Sequence, residues 1–277
     1  MPHPPTDAAA VADAVVPVAW VERGKTLCTM ALAWPPEFAN ARAGQFAMIK
    51  SARQGAPLLP RPISLVPAPK GLHMVFNIVG EGTRTLADAV EEDDVIVIGP
   101  LGNSFTAPQG PITIIVDSPH AGTMLALASA RAMAASTREP DTVLFVTASP
   151  TPHPSDEGVR GALVETGAAV IDVTVDTLDA ALRAQRPTYI AAGAGNRAME
   201  RAQRFAELQN ISGEASLQSP MACGLGACKV CIHPARQGPP FLVCEGPIVP
   251  LSLPDFGTQG EGTSRGSTES LIPSVRP

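Results

Sequence analysis

The chain has 277 residues, and 20 Lys and Arg against 26 Asp and Glu give it a formal net charge of −6 at pH 7. This acidic balance, without a basic run, argues against nucleic acid as a partner. No apolar stretch is long enough to cross a bilayer, and the first residues lack the pattern of a signal peptide, so we expect a cytoplasmic protein without a membrane span.

Residues 13–106 are predicted to form an antiparallel barrel or sandwich. Short runs of alternating polar and apolar residues recur in this part of the chain, and glycine and proline separate them. Such punctuated alternation is typical of half-buried strands. Cys28 lies on one of these runs, and we interpret it as a small core residue.

The pattern changes in residues 107–211, where strand-like and helix-like segments alternate. The predicted strands cover 112–116, 143–147, 170–175 and 189–192, and the predicted helices cover 124–135, 178–184 and 196–208. Strands that alternate with helices favour a parallel sheet in an α/β domain.

Four of the five cysteines lie in the next segment, residues 212–250. Three follow the spacing Cys-x4-Cys-x2-Cys and the fourth comes after twelve further residues: Cys223, Cys228, Cys231 and Cys244. This spacing is typical of plant-type 2Fe-2S sites, in which a tight loop presents three thiolates and a distant cysteine closes the site. Gly224 and Gly226 suit such a loop because glycine tolerates a positive φ. The segment is too short to build a core without its metal.

Two other uses of these cysteines are weighed against the cluster. Structural zinc sites usually pair two short Cys knuckles, whereas here three cysteines are bunched and one is remote. Two disulfides are disfavoured, because a chain of this length can bury a core without them and no secretory signal is seen.

A candidate flavin motif lies in the predicted barrel. Arg61-Pro62-Ile63-Ser64 follows a Gly/Pro-rich turn, and Gly80-Glu81-Gly82-Thr83 comes later in the same region. An arginine can pair with a diphosphate, and Ser64 can hydrogen-bond a flavin ring. The Gly82-Thr83 step offers a glycine turn and a hydroxyl to the same ligand.

The order of these motifs resembles the ferredoxin-reductase superfamily and, more narrowly, the electron transfer subunit of class 1B dihydroorotate dehydrogenase. The resemblance runs from about residue 15 to residue 250 and is strongest in the segments 221–228 and 244–249. It implies three parts: an FAD-binding β-barrel at 13–106, an α/β NAD-binding-like domain at 107–211 and a 2Fe-2S domain at 212–250. We expect the rest, 251–277, to be a flexible tail.

The resemblance also implies cofactors, partners and site residues. FAD would lie between the barrel and the α/β domain, and the 2Fe-2S cluster would relay electrons to or from an FMN-containing catalytic subunit in a hetero-oligomer such as a heterotetramer. The substrate chemistry of pyrimidine biosynthesis would reside in that partner, so no catalytic residue is expected here. The implied FAD-binding residues are Arg61, Pro62, Ile63, Ser64, Val75, Phe76, Asn77, Gly82 and Thr83, of which Asn77 replaces a basic residue.

The part that would bind a nicotinamide dinucleotide departs from the family pattern. Where the family has a turn resembling Gly-Gly-Gly-x-Gly, residues 117–123 read Asp-Ser-Pro-His-Ala-Gly-Thr. Ser118 as N-cap and Pro119 at the first helical position would make an ordinary helix start. The family's Cys-Gly-Pro-x-x-Met segment is also altered, with Met199 as its remnant. We therefore expect NAD(H) binding to be weak or absent.

The preferred hypothesis is an electron relay subunit for a dehydrogenase that oxidises dihydroorotate, with an acceptor other than NAD. The alternatives are an electron transfer subunit of another flavin oxidoreductase, a stand-alone NAD(P)H reductase with a fused ferredoxin domain, and a non-enzymatic assembly subunit with a structural cluster. An intact dinucleotide turn would favour the reductase, and this chain lacks it.

Overall fold

The computed structural model describes residues 11–134, 140–148 and 154–257. Its first part is a closed antiparallel barrel with the strand order β1-β2-β5-β4-β3-β6. The strands are β1 (Ala12–Arg23), β2 (Leu27–Leu32), β3 (Phe46–Ser51), β4 (Arg61–Ala68), β5 (Gly71–Asn77) and β6 (Asp94–Leu101). The predicted antiparallel barrel is confirmed.

Alternate side chains of these strands fill the barrel, as the period of a strand requires. Met30, Leu65, Met74 and Val97 are fully buried in its core. Cys28 belongs to the same core, and burial raises the pKa of its thiol to about 11. The interpretation of Cys28 as a core residue is therefore confirmed.

The second part is a six-stranded sheet in the order β14-β11-β10-β7-β8-β9. Its strands are β7 (Thr113–Val116), β8 (Thr142–Thr147), β9 (Ala169–Thr174), β10 (Tyr189–Gly193), β11 (Ser212–Ser216) and β14 (Ile248–Pro250). The first five strands in the chain pair in parallel, and β14 pairs antiparallel with β11. This confirms the α/β domain with a parallel sheet.

Five α-helices occur in the described residues: α1 (Glu81–Ala87), α2 (Ala121–Ala134), α3 (Pro154–Glu165), α4 (Leu178–Gln185) and α5 (Asn196–Gln209). The sequence predicted α2, α4 and α5, although residue 135 of the first lies outside the described residues. The sequence did not predict α3, in which Val159 and Leu163 are the buried apolar residues. Within the described part of the chain, no helix is long and apolar enough to cross a membrane.

The cysteine segment is an insertion between two strands of the sheet. Residues 212–250 begin with β11 and end with β14, and between them lie the cysteine loop and a short hairpin of β12 (Ile232–His233) and β13 (Phe241–Leu242). Both ends of the segment are therefore strands of the six-stranded sheet.

The beginning of the predicted tail is packed onto α5. Leu251 and Phe256 are buried, and Gln203 Nε2 donates hydrogen bonds to the carbonyl oxygens of Leu251 and Pro254. Residues 258–277, the remainder of the predicted tail, lie outside the described residues.

Candidate functional site

The side chain of Arg61, the first residue of β4, lies against the first turn of α1. A Cβ atom built on Gly82 would come within 2.5 Å of Arg61 Nε. Arg61 Nη1 donates to the Leu59 carbonyl oxygen at 2.6 Å, and no carboxylate among the described residues pairs with the guanidinium. An unneutralised guanidinium can pair with an anion such as a diphosphate.

Exposed apolar side chains flank this arginine. Leu58 and Leu59, just before β4, are 80% and 53% exposed, and Val79, just before α1, is 79% exposed. Apolar surface of this kind, next to a free cation, can accept the planar or sugar parts of a nucleotide cofactor.

Ser64 and Asn77 connect the barrel to the start of α2. Ser64 Oγ and Thr123 Oγ1 share a hydrogen bond of 2.8 Å, and Asn77 Nδ2 donates to the Ser118 carbonyl oxygen at 2.8 Å. Asn77 Oδ1 is buried and has no hydrogen-bond partner within the described residues. The sequence did not single out Thr123, because a hydroxyl in a helix start carries no distinctive signal.

The remaining predicted flavin residues are arranged differently from one another. Ile63 and Phe76 point into the barrel core, whereas Val75 packs against the helices of the α/β domain. Pro62 is exposed. Thr83 Oγ1 accepts from the backbone N–H groups of Val79 and Gly80 and donates to the Gly80 carbonyl oxygen. The Thr83 hydroxyl therefore stabilises the start of α1. Because the side chains of Ile63 and Phe76 are buried in the barrel, only their backbone groups can contact a ligand.

The cysteine loop directs backbone N–H groups at three of its sulfurs. Leu225 N and Cys228 N lie 3.4 Å and 3.5 Å from Cys223 Sγ, and Gly226 N lies 3.1 Å from Cys244 Sγ. Cys244 N lies 3.4 Å from Cys231 Sγ. Amide donors of this kind stabilise thiolates and tune the metals that thiolates bind.

These contacts and burial shift the thiol pKa values in opposite directions. The backbone N–H groups of Leu225 and Cys228 lower the pKa of Cys223 to about 7. Burial, and contact with Cys231, raise the pKa of Cys244 to about 12. Within the described residues no group of three or more His, Cys, Asp or Glu side chains is arranged as a metal site. Cys223 interacts with Cys228, and Cys244 with Cys231.

The cysteine loop packs directly on the barrel. Gly224 has a φ of +72°, and a Cβ atom there would lie 2.5 Å from Met48 Cγ on β3 and 3.3 Å from Leu101 Cδ1 on β6. Cys231 and Cys244 share a core cluster with Met48 and Leu101. Through Gly224 the loop is therefore held against the barrel that carries Arg61, and Cys231 and Cys244 are buried in the core that the two parts share.

The turn after β7 differs from the predicted helix start. Asp117, and not Ser118, is the N-cap, and its side chain accepts a hydrogen bond from His120 N at 3.1 Å. A short 3-10 turn over Ser118–His120 then leads into α2. The prediction that Ser118 is the cap is wrong, because the carboxylate of Asp117 reaches the same donor.

Solved structures share this fold. A structure of an NADH-dependent reduced ferredoxin-NADP oxidoreductase superposes with a TM-score of 0.67 at 20% identity, covering 88% of this chain and 90% of that one. A ferredoxin-NADP+ reductase from Neisseria gonorrhoeae, solved with FAD and NADP, has a TM-score of 0.51 at 14% identity and covers 72% and 91%. The barrel and the α/β domain together form the ferredoxin reductase fold.

Curated relatives show the family, although no protein-family model matches the chain. The electron transfer subunit of dihydroorotate dehydrogenase B (NAD(+)) from Bacillus cereus strain Q1 is 31% identical over 225 residues, which cover 75% of this chain and 85% of the relative. The protein of the same name from Desulforamulus reducens is 29% identical over 236 residues, covering 78% and 87%. The chain therefore belongs to the family of dihydroorotate dehydrogenase B electron transfer subunits and is an oxidoreductase subunit.

Proposed function

We propose that this chain relays electrons through FAD and a 2Fe-2S cluster to or from an FMN-containing catalytic subunit that oxidises dihydroorotate to orotate. The observation that supports the proposal most is that one barrel carries both the unneutralised Arg61, which lies beside Gly82, and the residues on which the cysteine loop packs, Met48 and Leu101.

The residues around Arg61 fit FAD. The guanidinium would hold the diphosphate, since it favours negative charge. Ser64 and the orphaned Asn77 Oδ1 would offer hydrogen bonds to the flavin at the boundary between barrel and α/β domain. In this proposal residues 13–106 are the flavin domain, and the flavin lies between them and residues 107–211.

The number, type and spacing of the four thiols support a 2Fe-2S cluster. Cys223, Cys228, Cys231 and Cys244 supply the all-thiolate ligand set, and the amide groups of the loop already point at the sulfurs. Residues 212–250 would thus be the cluster segment. When bound, a flavin exchanges electrons in pairs or singly and a 2Fe-2S cluster exchanges them singly, which is the reason to hold both in one relay.

The catalytic partner would dock around the cysteine loop. Leu225, Val230 and Ile232 are 55%, 54% and 45% exposed there, and Cys228 is itself exposed. Apolar side chains around an exposed redox ligand would exclude water from the contact and bring the partner's cofactor near the cluster. The pyrimidine chemistry would take place in that partner.

The test is to purify the native complex anaerobically and to measure FAD, FMN, iron and dihydroorotate oxidation. We expect flavin absorption bands with the shoulders of a 2Fe-2S cluster, and activity that needs both subunits. Cys228→Ser should abolish the cluster signal in electron paramagnetic resonance and leave the FAD content unchanged. A complex without FAD, or an iron content that survives this substitution, would contradict the proposal.

A further inference from the structure

The carboxyl ends of β7 and β10 form the position at which an α/β sheet normally binds its ligand. These strands are neighbours in the sheet, with Val116 opposite Gly193. From β7 the chain builds outward on one side to β8 and β9, and then crosses over to build β10 and β11 on the other side. In open α/β sheets, ligands bind in the crevice at such a topological switch point.

In this chain a side chain of the protein bridges that crevice. Asp117 Oδ2 accepts a hydrogen bond from Gly195 N at 2.8 Å, and Gly195 is the N-cap of α5. Asp117 Oδ1 accepts from His120 N at 3.1 Å and lies 2.5 Å from His120 Nδ1. One carboxylate thus satisfies donors at the starts of two helical segments, where a dinucleotide phosphate would otherwise bind.

The turn that carries Asp117 is held from two other elements. Asn77 Nδ2, at the end of β5, donates to the Ser118 carbonyl oxygen at 2.8 Å, and Gln218 Nε2, after β11, donates to the Pro119 carbonyl oxygen at 3.4 Å. The side chains of Asp117 and His120 are 18% and 16% exposed. The turn is therefore tied to β5 and to the chain after β11, and it holds the mostly buried Asp117 side chain towards the exposed Gly195.

We propose that the Asp117 carboxylate closes the crevice between β7 and β10 and thereby excludes a nicotinamide dinucleotide from this chain. A diphosphate would have to displace a carboxylate from the same backbone donors, against repulsion between two negative charges. The relatives from Bacillus cereus and Desulforamulus reducens carry NAD(+) in their names, so this chain would differ from them in its electron carrier. The inference deepens the proposed function and requires a second carrier of another chemical class, such as a quinone or a protein.

The test is a calorimetric titration of the purified full chain with ADP-ribose, which has the diphosphate of a dinucleotide without its nicotinamide. We expect the unmodified chain to bind more weakly than a dissociation constant of about 1 mM. Asp117→Gly should bind at least about tenfold more tightly, because the helix starts then face the ligand without a competing carboxylate. Binding of ADP-ribose needs neither FAD nor the cluster, so its result is independent of the proposed relay.

Two further variants make the outcome decisive. Asp117→Asn keeps an N-cap oxygen for His120 N, loses the charge, and should also gain affinity. Glu200→Gln removes a charge from the exposed face of α5 and should leave ADP-ribose binding as weak as in the unmodified chain. Tight binding by the unmodified chain overturns the proposal. So does the failure of both Asp117 variants, folded by circular dichroism, to gain affinity.

Discussion

Gly224 illustrates how a single backbone conformation brings the cysteine loop onto the barrel. Its φ of +72° is one that residues with a Cβ rarely adopt, and its Cα faces Met48 of β3 at close range. Gly238, in the same segment, has a φ of +85° but no atom within 4 Å of its would-be Cβ. Both glycines therefore need a positive φ, but only Gly224 also lies in close contact with a neighbouring side chain.

Gly224→Ala should lower the free energy of unfolding by about 2–4 kcal/mol, because the strained φ and the collision with Met48 add. Gly238→Ala, the matched control, should cost about 1–2 kcal/mol from the φ alone. Urea unfolding measures both, and iron analysis should show cluster loss in Gly224→Ala only. Equal destabilisation in the two variants would show that contact with the barrel does not hold the loop.

Helix α1 contains a glycine, Gly82, that weakens the helix and leaves room for the Arg61 guanidinium. Gly82 lies inside a helix of only seven residues, where glycine disfavours the helical state. The benefit is that the Arg61 guanidinium can lie against the helix backbone, at a distance that a methyl group would occupy. We infer that Gly82 makes α1 less stable as a helix and allows a cation to lie beside its first turn.

Gly82→Ala should therefore separate stability from cofactor binding. The helix itself gains up to about 1 kcal/mol, while the displaced guanidinium weakens FAD binding by about tenfold or more. The control is Gly161→Ala in α3, where nothing lies within 4 Å of the added atom and only the helix gain is expected. Thermal unfolding of the FAD-free chain and fluorescence titration with FAD measure the two effects. Unchanged FAD affinity in Gly82→Ala would remove Arg61 from the proposed diphosphate site.

Two polar links join the end of the barrel to the sheet. Asn103 Nδ2 donates to the Ile248 carbonyl oxygen at 2.7 Å, and Ile248 N donates to Asn103 Oδ1 at 3.0 Å. The buried carboxylate of Glu214 accepts from Thr106 N at 2.9 Å and from Thr106 Oγ1 at 2.6 Å. Burial and this carboxylate raise the pKa of Tyr189 well above its usual value. The Asn103 link holds the start of β14, just after Cys244 in the chain, and the Glu214 link holds β11, the strand that pairs with β14.

Asn103→Asp should loosen this connection, because an oxygen replaces the donor that faces the Ile248 carbonyl group. We expect a loss of about 1–3 kcal/mol in the free energy of unfolding and a lower iron content per chain. Gln237→Glu makes the same amide-to-acid change at an exposed position of the cysteine segment and should change neither quantity. A full iron content in folded Asn103→Asp would show that the cysteine loop holds its position without the link.

Local patterns in the sequence predicted most of the elements. The alternation that marks β2 and β5 and the helical period of α5 depend on neighbours a few residues apart, so they can be read without tertiary information. Helix α3 was not predicted because its sequence is polar, and α1 was interpreted as a turn because it contains Gly82. The separation of β11 and β14 from the cysteine loop was also missed, because short strands at a sheet edge have weak periodicity.

The order of barrel, α/β domain and cysteine segment can be read from the amino-acid sequence, and so can the four cysteines, because their spacing within one short stretch identifies the loop. Three contacts could not be predicted in this way: Arg61 lies against Gly82, Met48 packs on Gly224, and Asp117 reaches Gly195. Each of these contacts joins residues far apart in the chain. Their meeting depends on strand order and register, which no local pattern specifies.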